Sequence, residues 1–424
     1  MAPADGAEHP AAGTCGASVP PLLTVHVVGR PTESVGGYLV PLMQLLSERG
    51  RPQHLLYADT QARRRSEVEP HQTQAGEVTG QAPARVDHLW PVPLGVRVQR
   101  LATGSSPWQH ARALSIALRV LRSQQRIETL YLHGLVPGMA WCLLPVPVAG
   151  KEPQRILLSP HGSRHLSRLP LRRLAALAFI RHRLRSQPHA AVVTMALEAR
   201  WFKGFSDDPV HVVECPVDPC FFDAQPRPAR RPLLLSASAS GNPRTLALYS
   251  RLAVLLLDER LGLSFNWIGP IPAAQQRACK SAGVAGFEDH SPAARAQRLA
   301  TCWVFVALCD DGGYPLRLAE AMAAGVACVA LETDVTRSLL TDGEDGFLCV
   351  DVPSLLARIA LLVDSDELRS SLGARARETA QRRLSSAAFR RRVDWAWRVE
   401  PDVEEPPAPA APAQLTALSP QEEA

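Results

Sequence analysis

Aromatic residues are scarce, at 5% of 424 residues, so stacking on sugars or bases is no widespread surface strategy. Lysine is nearly absent: Lys151, Lys203 and Lys280 are the only three, and the basic side is almost wholly arginine. A guanidinium is a planar fork suited to phosphate or carboxylate, so the composition admits an anionic ligand. Alanine and arginine rise together, and compositional drift accounts for that equally well. The formal charge of +5 is too dilute over this length to be a nucleic-acid footprint. None of the nine cysteines forms a C-x-x-C pair, nine is odd, and several sit in apolar runs. They read as reduced, mostly buried thiols of a cytosolic protein. No apolar run reaches the roughly 18 residues of a membrane span. The first residues lack the basic flank and apolar block of a signal peptide. There is no Walker loop, G-x-S-x-G elbow or mixed Cys/His zinc pattern. Asp364-Ser365-Asp366 spells D-x-D, but at a helix boundary a cap explains it better.

What remains is ordinary globular composition, 46% hydrophobic and 21% charged, and a length that suits two domains. Residues 1–20 and 401–424 read as disordered; the latter hold six prolines and five acids. Leu22 to Val28 is an apolar strand that runs into a glycine-rich turn with Gly29, Gly36 and Gly37. Leu39, Leu42, Met43 and Leu46 then repeat at helical spacing up to Gly50. Strand, glycine turn, helix is the opening unit of a nucleotide-binding parallel sheet. Further strands are expected at 129–132, 155–159, 190–194 and 211–214, with helices near 111–122 and 171–184. A polar excursion falls at 61–84. Pro226 to Pro232 is the linker. A second series follows, with strands at 233–236, 264–268, 284–287, 303–308, 327–330 and 347–350. Helices are expected at 245–259, 292–300, 316–324, 335–340 and 353–363. The fold class is therefore α/β, with two doubly wound domains in series at 21–225 and 233–384. Their carboxyl strand ends would face each other across a cleft.

The loops at those ends hold the chemistry. A glycine turn at Gly36-Gly37 would let backbone amides approach a phosphate at a helix start, or be only a turn. Ser236 to Arg244 follows a strand; Arg244 could reach a diphosphate or lie on the surface. Asp310-Asp311-Gly312-Gly313-Tyr314-Pro315 precedes a helix bearing Glu320 in an apolar setting. A buried carboxylate there needs donors, either ribose hydroxyls or Arg317 three residues away. His133-Gly134 and His161-Gly162 each follow a strand, where an imidazole can donate to a phosphate or sugar oxygen.

Together these loops resemble those of retaining glycosyltransferases of the GT-B fold, family 4. The resemblance runs from about residue 22 to 395. It rests on Gly29-Arg30-Pro31 through Glu33-Ser34-Val35-Gly36-Gly37, Leu132-His133-Gly134, Ser159-Pro160-His161-Gly162, Val213 to Phe221, and Gly312 to Met322. It implies donor contacts at Gly36, Gly37, Arg244, Gly312, Gly313, Tyr314, Pro315, Leu316 and Glu320, with Glu320 on the ribose. It implies catalytic roles for His161, Arg244 and Asp311, and acceptor or sugar contacts at His133 and Glu33. The family's first motif glutamate falls on Gly312, with Asp310 or Asp311 one or two positions away. Only one of its two diphosphate cations is clearly kept, as Arg244. Proline and serine before the motif become Leu308 and Cys309.

The resemblance further implies a sugar moved from a nucleotide-diphosphate donor to a saccharide, lipid-linked or small-molecule hydroxyl. No cofactor and no metal are required. The alternatives are a catalytically impaired paralogue acting as a binding or partner subunit, and another enzyme on the same layout, such as a nucleotide-sugar epimerase. Residues 385–400 would form a helix crossing back onto the first domain. Its Arg390, Arg391, Arg392 and Arg398 also admit peripheral contact with an anionic membrane. The expected location is cytoplasmic, extending to the inner face of the membrane. No nucleic-acid partner is expected.

Overall fold

The computed structural model describes residues 23–29, 33–59, 85–86, 90–104, 106–144, 153–159, 171–184, 189–196, 198–199, 203, 209–238, 242–259, 262–289, 291–308 and 314–397. The expectations for both chain ends, for 61–84, and for the loops at 160–170 and 309–313 lie outside these residues.

The strands are β1 (Leu23–Val28), β2 (Gln53–Asp59), β3 (Arg85–Val86), β4 (Trp90–Pro91), β5 (Val96–Ala102), β6 (Ile127–His133), β7 (Arg155–Ser159), β8 (His189–Val193) and β9 (Val210–Val212). Then come β10 (Leu233–Ala237), β11 (Ser264–Ile268), β12 (Val284–Phe287), β13 (Val304–Ala307), β14 (Ala327–Leu331) and β15 (Phe347–Cys349). The helices are α1 (Glu33–Glu48), α2 (Pro107–Gln124), α3 (Leu135–Cys142), α4 (Leu171–Leu184), α5 (Pro219–Asp223), α6 (Pro243–Glu259), α7 (Gln276–Ser281), α8 (Pro292–Ala300), α9 (Leu316–Ala323), α10 (Asp334–Arg337), α11 (Val352–Asp364), α12 (Asp366–Leu384) and α13 (Ser386–Trp397).

β1, β6 and β10 are buried along nearly their whole length, as strands covered on both faces are. They form the centres of two parallel sheets, ordered β5-β2-β1-β6-β7-β8-β9 and β12-β11-β10-β13-β14-β15. A small antiparallel pair, β3-β4, carries Trp90. The strand order reverses between β1 and β6 in one sheet and between β10 and β13 in the other. At such points the crossovers diverge and leave a crevice at the carboxyl ends. The chain thus builds two doubly wound α/β layers, the GT-B arrangement.

The segment 226–232 runs outside both sheets, tied to the second by amides of Arg227 and Ala229 donating to the carbonyls of Ala300 and Thr301. α13 returns to the first sheet. Phe389 meets Tyr38 edge to face at 5.8 Å, and Trp397 meets Tyr131 at 5.9 Å. Asp394 and Arg390 pair with Arg49 and Glu48 of the first domain. One apolar cluster consequently runs from Tyr38 through Phe221 and Leu318 to Phe389 and Trp397, joining both domains. The apolar face of α13 is spent inside the protein.

Beneath this joint lies a buried ion cluster. Glu214, just past β9, receives Arg383 of α12 at 2.5 Å and Arg392 of α13 at 2.9 Å. Arg383 also donates to the carbonyls of Ser338 and Leu339, and Arg392 to that of Arg383. Ser365, the middle of the D-x-D spelling, caps α12 by accepting from the Leu368 amide at 3.2 Å. That stretch therefore serves as a helix cap.

Candidate functional site

Between the sheets opens a crevice of about 510 Å³. The first domain contributes Gly36, Gly37 and Trp90, and the second contributes Arg295, Leu316 and Glu320. Phe221 of α5 and Phe389 and Arg390 of α13 complete the wall.

Gly36 and Gly37 do not form the expected turn. They lie in the first turns of α1, and neither has a positive φ. With the helix beginning at Glu33, their amides belong to α1 itself and not to a turn. Absence of a side chain matters most at Gly36. A Cβ on Gly36 would stand 2.5 Å from Trp90 Nε1, and one on Gly37 3.2 Å from Leu316 Cδ2 across the crevice. Pro41, one turn on, has no N–H to donate to the Gly37 carbonyl, so this crevice wall carries an acceptor outside the helix ladder.

Glu320 sits on α9 with only 3% of its surface exposed. Its Oε1 accepts from Arg295 Nη2 and from Arg317 Nη1, both at 2.8 Å. Its Oε2 accepts from Arg295 Nε at 3.1 Å and Arg317 Nη1 at 2.9 Å. Arg295 also donates to the Asp289 carbonyl at 3.2 Å and lies over the Phe221 ring at 5.8 Å. In the protein alone, then, Glu320 is satisfied by arginine, including the Arg317 that its spacing pointed to.

Leu316 lines the crevice, and Pro315 is the N-cap of α9. Tyr314 is buried beside Glu214, Arg383 and Arg392; burial first, then the Glu214 charge, pushes its hydroxyl far above the usual phenol range. Arg244 lies exposed in the first turn of α6, its amide donating to Asn242 Oδ1 at 3.0 Å, and it is not part of the crevice wall. His133 is not there either. It is buried at the end of β6, its Nε2 3.4 Å from His26 Nδ1 and its ring 4.0 Å from that of Tyr131. Tyr131 donates to the Tyr38 hydroxyl at 3.0 Å, so His133 belongs to an aromatic cluster behind Phe389. Burial lowers the pKa of His26 to about 4, opposed by the hydrogen bond that its Nε2 donates to Gln53 Oε1, which keeps this imidazole neutral at neutral pH. Glu33 opens α1. His161, Asp311, Gly312 and Gly313 lie outside the described residues, as does the side chain of Glu33. Cys220, near the crevice, is no nucleophile at neutral pH: burial, with Asp218 adding, pushes its thiol up to about 12.

The structure thus brings together Gly36, Gly37, Leu316 and Glu320 and adds Trp90 and Arg295, which sequence reasoning missed. Arg295 reads as one of two arginines in an alanine-rich helix, 25 residues before its partner; only burial singles it out.

Residues 284–379, which include α9 and Glu320, match the family model of glycosyl transferases group 1. No curated protein matches the chain. Sucrose-phosphate synthase from Thermosynechococcus elongatus superposes with a TM-score of 0.66 at 14% identity, covering 89% of this chain and 98% of that one. HepE from Anabaena, solved with UDP and glucose, gives 0.60 at 12% identity over 89% and 100%. A putative UDP-N-acetylglucosamine 2-epimerase from Listeria monocytogenes gives 0.56 at 10% identity over 92% and 100%. The fold is GT-B, with a glycosyl transferases group 1 segment in its second half.

Proposed function

We propose that the chain is a retaining glycosyltransferase that moves a sugar from a nucleotide-diphosphate donor to a saccharide, lipid-linked or small-molecule hydroxyl, without a metal. The observation that carries this reading is the shared crevice. Gly37 of the first domain stands against Leu316 of the second at the strand ends, with Glu320 and Arg295 in the same wall. The family match over 284–379 favours glycosyl transfer over epimerisation, since the fold alone accommodates both.

The acceptor hydroxyl approaches the anomeric carbon on the face from which the nucleotide diphosphate departs, so the configuration is kept. Negative charge grows on the departing phosphate. The N-terminal end of α9 supplies positive potential at the crevice wall beside Leu316, and for that reason no metal is invoked. Glu320 takes the ribose. Arg244 reaches the diphosphate if its exposed side chain folds inward when the cleft closes. His161 and Asp311 are assigned to the sugar, and Glu33 to the acceptor. His133 acts from behind, holding the Tyr131–Tyr38 pair that backs Phe389. Closure would expel water and protect the donor from hydrolysis. Cytoplasmic location and contact with the inner membrane face belong to this proposal; among the described residues no helix is long and apolar enough to cross a membrane.

A second reading, a binding subunit, is favoured by Gly312 standing where the family has a glutamate. Loss of one charged contact costs about 2–4 kcal/mol of transition-state stabilisation. Melting shifts with UDP, GDP, ADP, TDP and CMP, followed by donor turnover, separate the two. The enzyme reading expects selective stabilisation and slow donor hydrolysis, with Glu320→Ala weakening nucleotide binding and Arg244→Ala lowering turnover without unfolding. No nucleotide effect at millimolar concentration, with a stable protein partner, favours the subunit. Unchanged affinity and turnover in both variants overturns the enzyme.

A further inference from the structure

We propose that the outer face of α2 docks the protein on an anionic lipid surface, with Trp108, Ile116 and Val120 entering the headgroup layer and arginines meeting lipid phosphates. This gives the membrane contact of the proposed function a surface. It stands apart from sugar transfer, because its test needs neither donor nor acceptor. The charge of the chain is unevenly placed. Residues 88–197 hold fifteen arginines and lysines against two acids, Glu128 and Glu152, in a chain whose total is only +5. The remainder is therefore net negative, and the positive charge is concentrated within the first domain.

α2, α3 and α4 cover one face of the first sheet, where Leu114 and Leu118 of α2, Trp141 of α3 and Ile180 of α4 share a cluster with Val25 and Val27 of β1. α1 and α13 cover the opposite face. α3 packs against both α2 and α4, so the three helices form one layer. None of them carries an Asp or Glu, so no acid on these helices competes with a lipid phosphate for the arginines. Trp108, Arg112, Ile116, Arg119 and Val120 recur at helical spacing on the side of α2 opposite Leu114 and Leu118, and all five are exposed. Trp108, Ile116 and Val120 leave 56%, 58% and 50% of their surface to solvent. A single exposed apolar residue is ordinary; three on one face with two arginines, along about 18 Å of helix, form a patch. Phe179 of α4, 47% exposed, adds an apolar ring to the same layer. Tryptophan suits the boundary between water and acyl chains, and an arginine can lay its stem on apolar surface while its head meets phosphate. A nucleic acid or another soluble polyanion would use the arginines and leave Ile116 and Val120 in water. An anionic bilayer takes both.

The experiment is co-sedimentation of the full chain with vesicles of phosphatidylcholine alone and with vesicles in which about one third is phosphatidylglycerol. Binding is expected to the anionic vesicles only and should weaken as salt is raised. Arg112→Gln with Arg119→Gln should lower the apparent affinity about thirtyfold, since each basic side chain near such a surface contributes about fivefold. Ile116→Gln with Val120→Gln, which keeps every charge, should lower it about tenfold. All four positions are exposed, and melting without vesicles checks that both variants fold as the parent does. Arg391→Gln, on the exposed side of α13, should bind as the parent does. No binding to anionic vesicles overturns the proposal. So does binding that the apolar pair leaves unchanged, which is the behaviour of a site for soluble polyanions. A loss of about fivefold or more in Arg391→Gln would move the contact to α13 and overturn it as well. Self-association that the α2 variants abolish, without vesicle binding, would assign the face to a second copy of the chain instead. Each of these failures leaves the nucleotide-sugar reading standing, because that reading falls only on nucleotide binding and turnover.

Discussion

Replacing Gly36 with alanine sets two effects against each other in the crevice wall. Alanine in a helix interior is favoured over glycine by about 1 kcal/mol, so α1 taken alone should gain. The added Cβ, however, would lie 2.5, 2.6 and 2.9 Å from Nε1, Cδ1 and Cε2 of Trp90. Contact between such atoms is comfortable near 3.5 Å, so the indole must retreat by about 1 Å. Trp90 is 2% exposed, and a rigid ring at that burial cannot give way as a methyl group can. Overpacking of this kind costs about 1–3 kcal/mol, which leaves a net loss of about 1 kcal/mol, or about 2–4 °C in melting temperature. Gly37→Ala is the matched control. Its Cβ would meet only Leu316 Cδ2, at 3.2 Å, the end of a flexible side chain. Most of the helix gain should survive there, and the protein should hold or gain stability. Calorimetric melting of both variants, and of Gly36→Ala combined with Trp90→Ala, reads the difference. The reasoning is refuted if Gly36→Ala stabilises as much as Gly37→Ala, or if its cost persists once the indole is gone.

Two further perturbations test the joint between the domains and the buried cluster behind it. Glu214→Gln keeps the shape but removes the charge facing Arg383 and Arg392, and urea unfolding should show a loss of about 3–5 kcal/mol; a loss under about 1 kcal/mol would mean that the cluster does not hold the joint. His26 has a folded pKa of about 4 against 6.5 when free, so the unfolded chain binds the extra proton first as pH falls. Stability should be full above about pH 6.5 and decline towards pH 4, by about 3 kcal/mol in all. Gln53, Tyr131 and His133 face this imidazole. A stability–pH curve from denaturant midpoints should be steeper for the wild-type chain than for His26→Gln, and equal slopes would contradict the assignment.

The sequence was most legible where apolar runs were short and bounded. β7, β11 and β12, and helices α4 and α8, fall on the expected residues. β2 and β5 went unread. β5, V-R-V-Q-R-L-A, lies at the sheet edge against β2 alone and buries only Val96 fully, so its polar residues mask it. The 19-residue α12 was unread for a different reason. Its buried residues are Arg369, Leu372, Gly373, Ala376, Ala380 and Leu384, and the small ones between the two leucines carry almost no hydrophobic signal. Their smallness is the point of contact: a Cβ on Gly373 would stand 2.2 Å from the Gly325 carbonyl oxygen. Close backbone approach, which sequence patterns register poorly, is what fastens α12 behind the Glu320 helix.

The same distinction runs through the site. Gly36-Gly37 reads in sequence as a turn whose amides meet a phosphate; the structure places both glycines inside α1, where an added Cβ on Gly36 would meet Trp90 and one on Gly37 would meet Leu316. Local spacing could reveal Arg317 beside Glu320, because three residues along a helix is one turn. It could not reveal Arg295, which reaches the same carboxylate from α8, both helices packing on α5. The charge balance of Glu320 therefore depends on a partner 25 residues away in sequence as well as on the neighbour one turn before it, and only the second of these is written in local spacing.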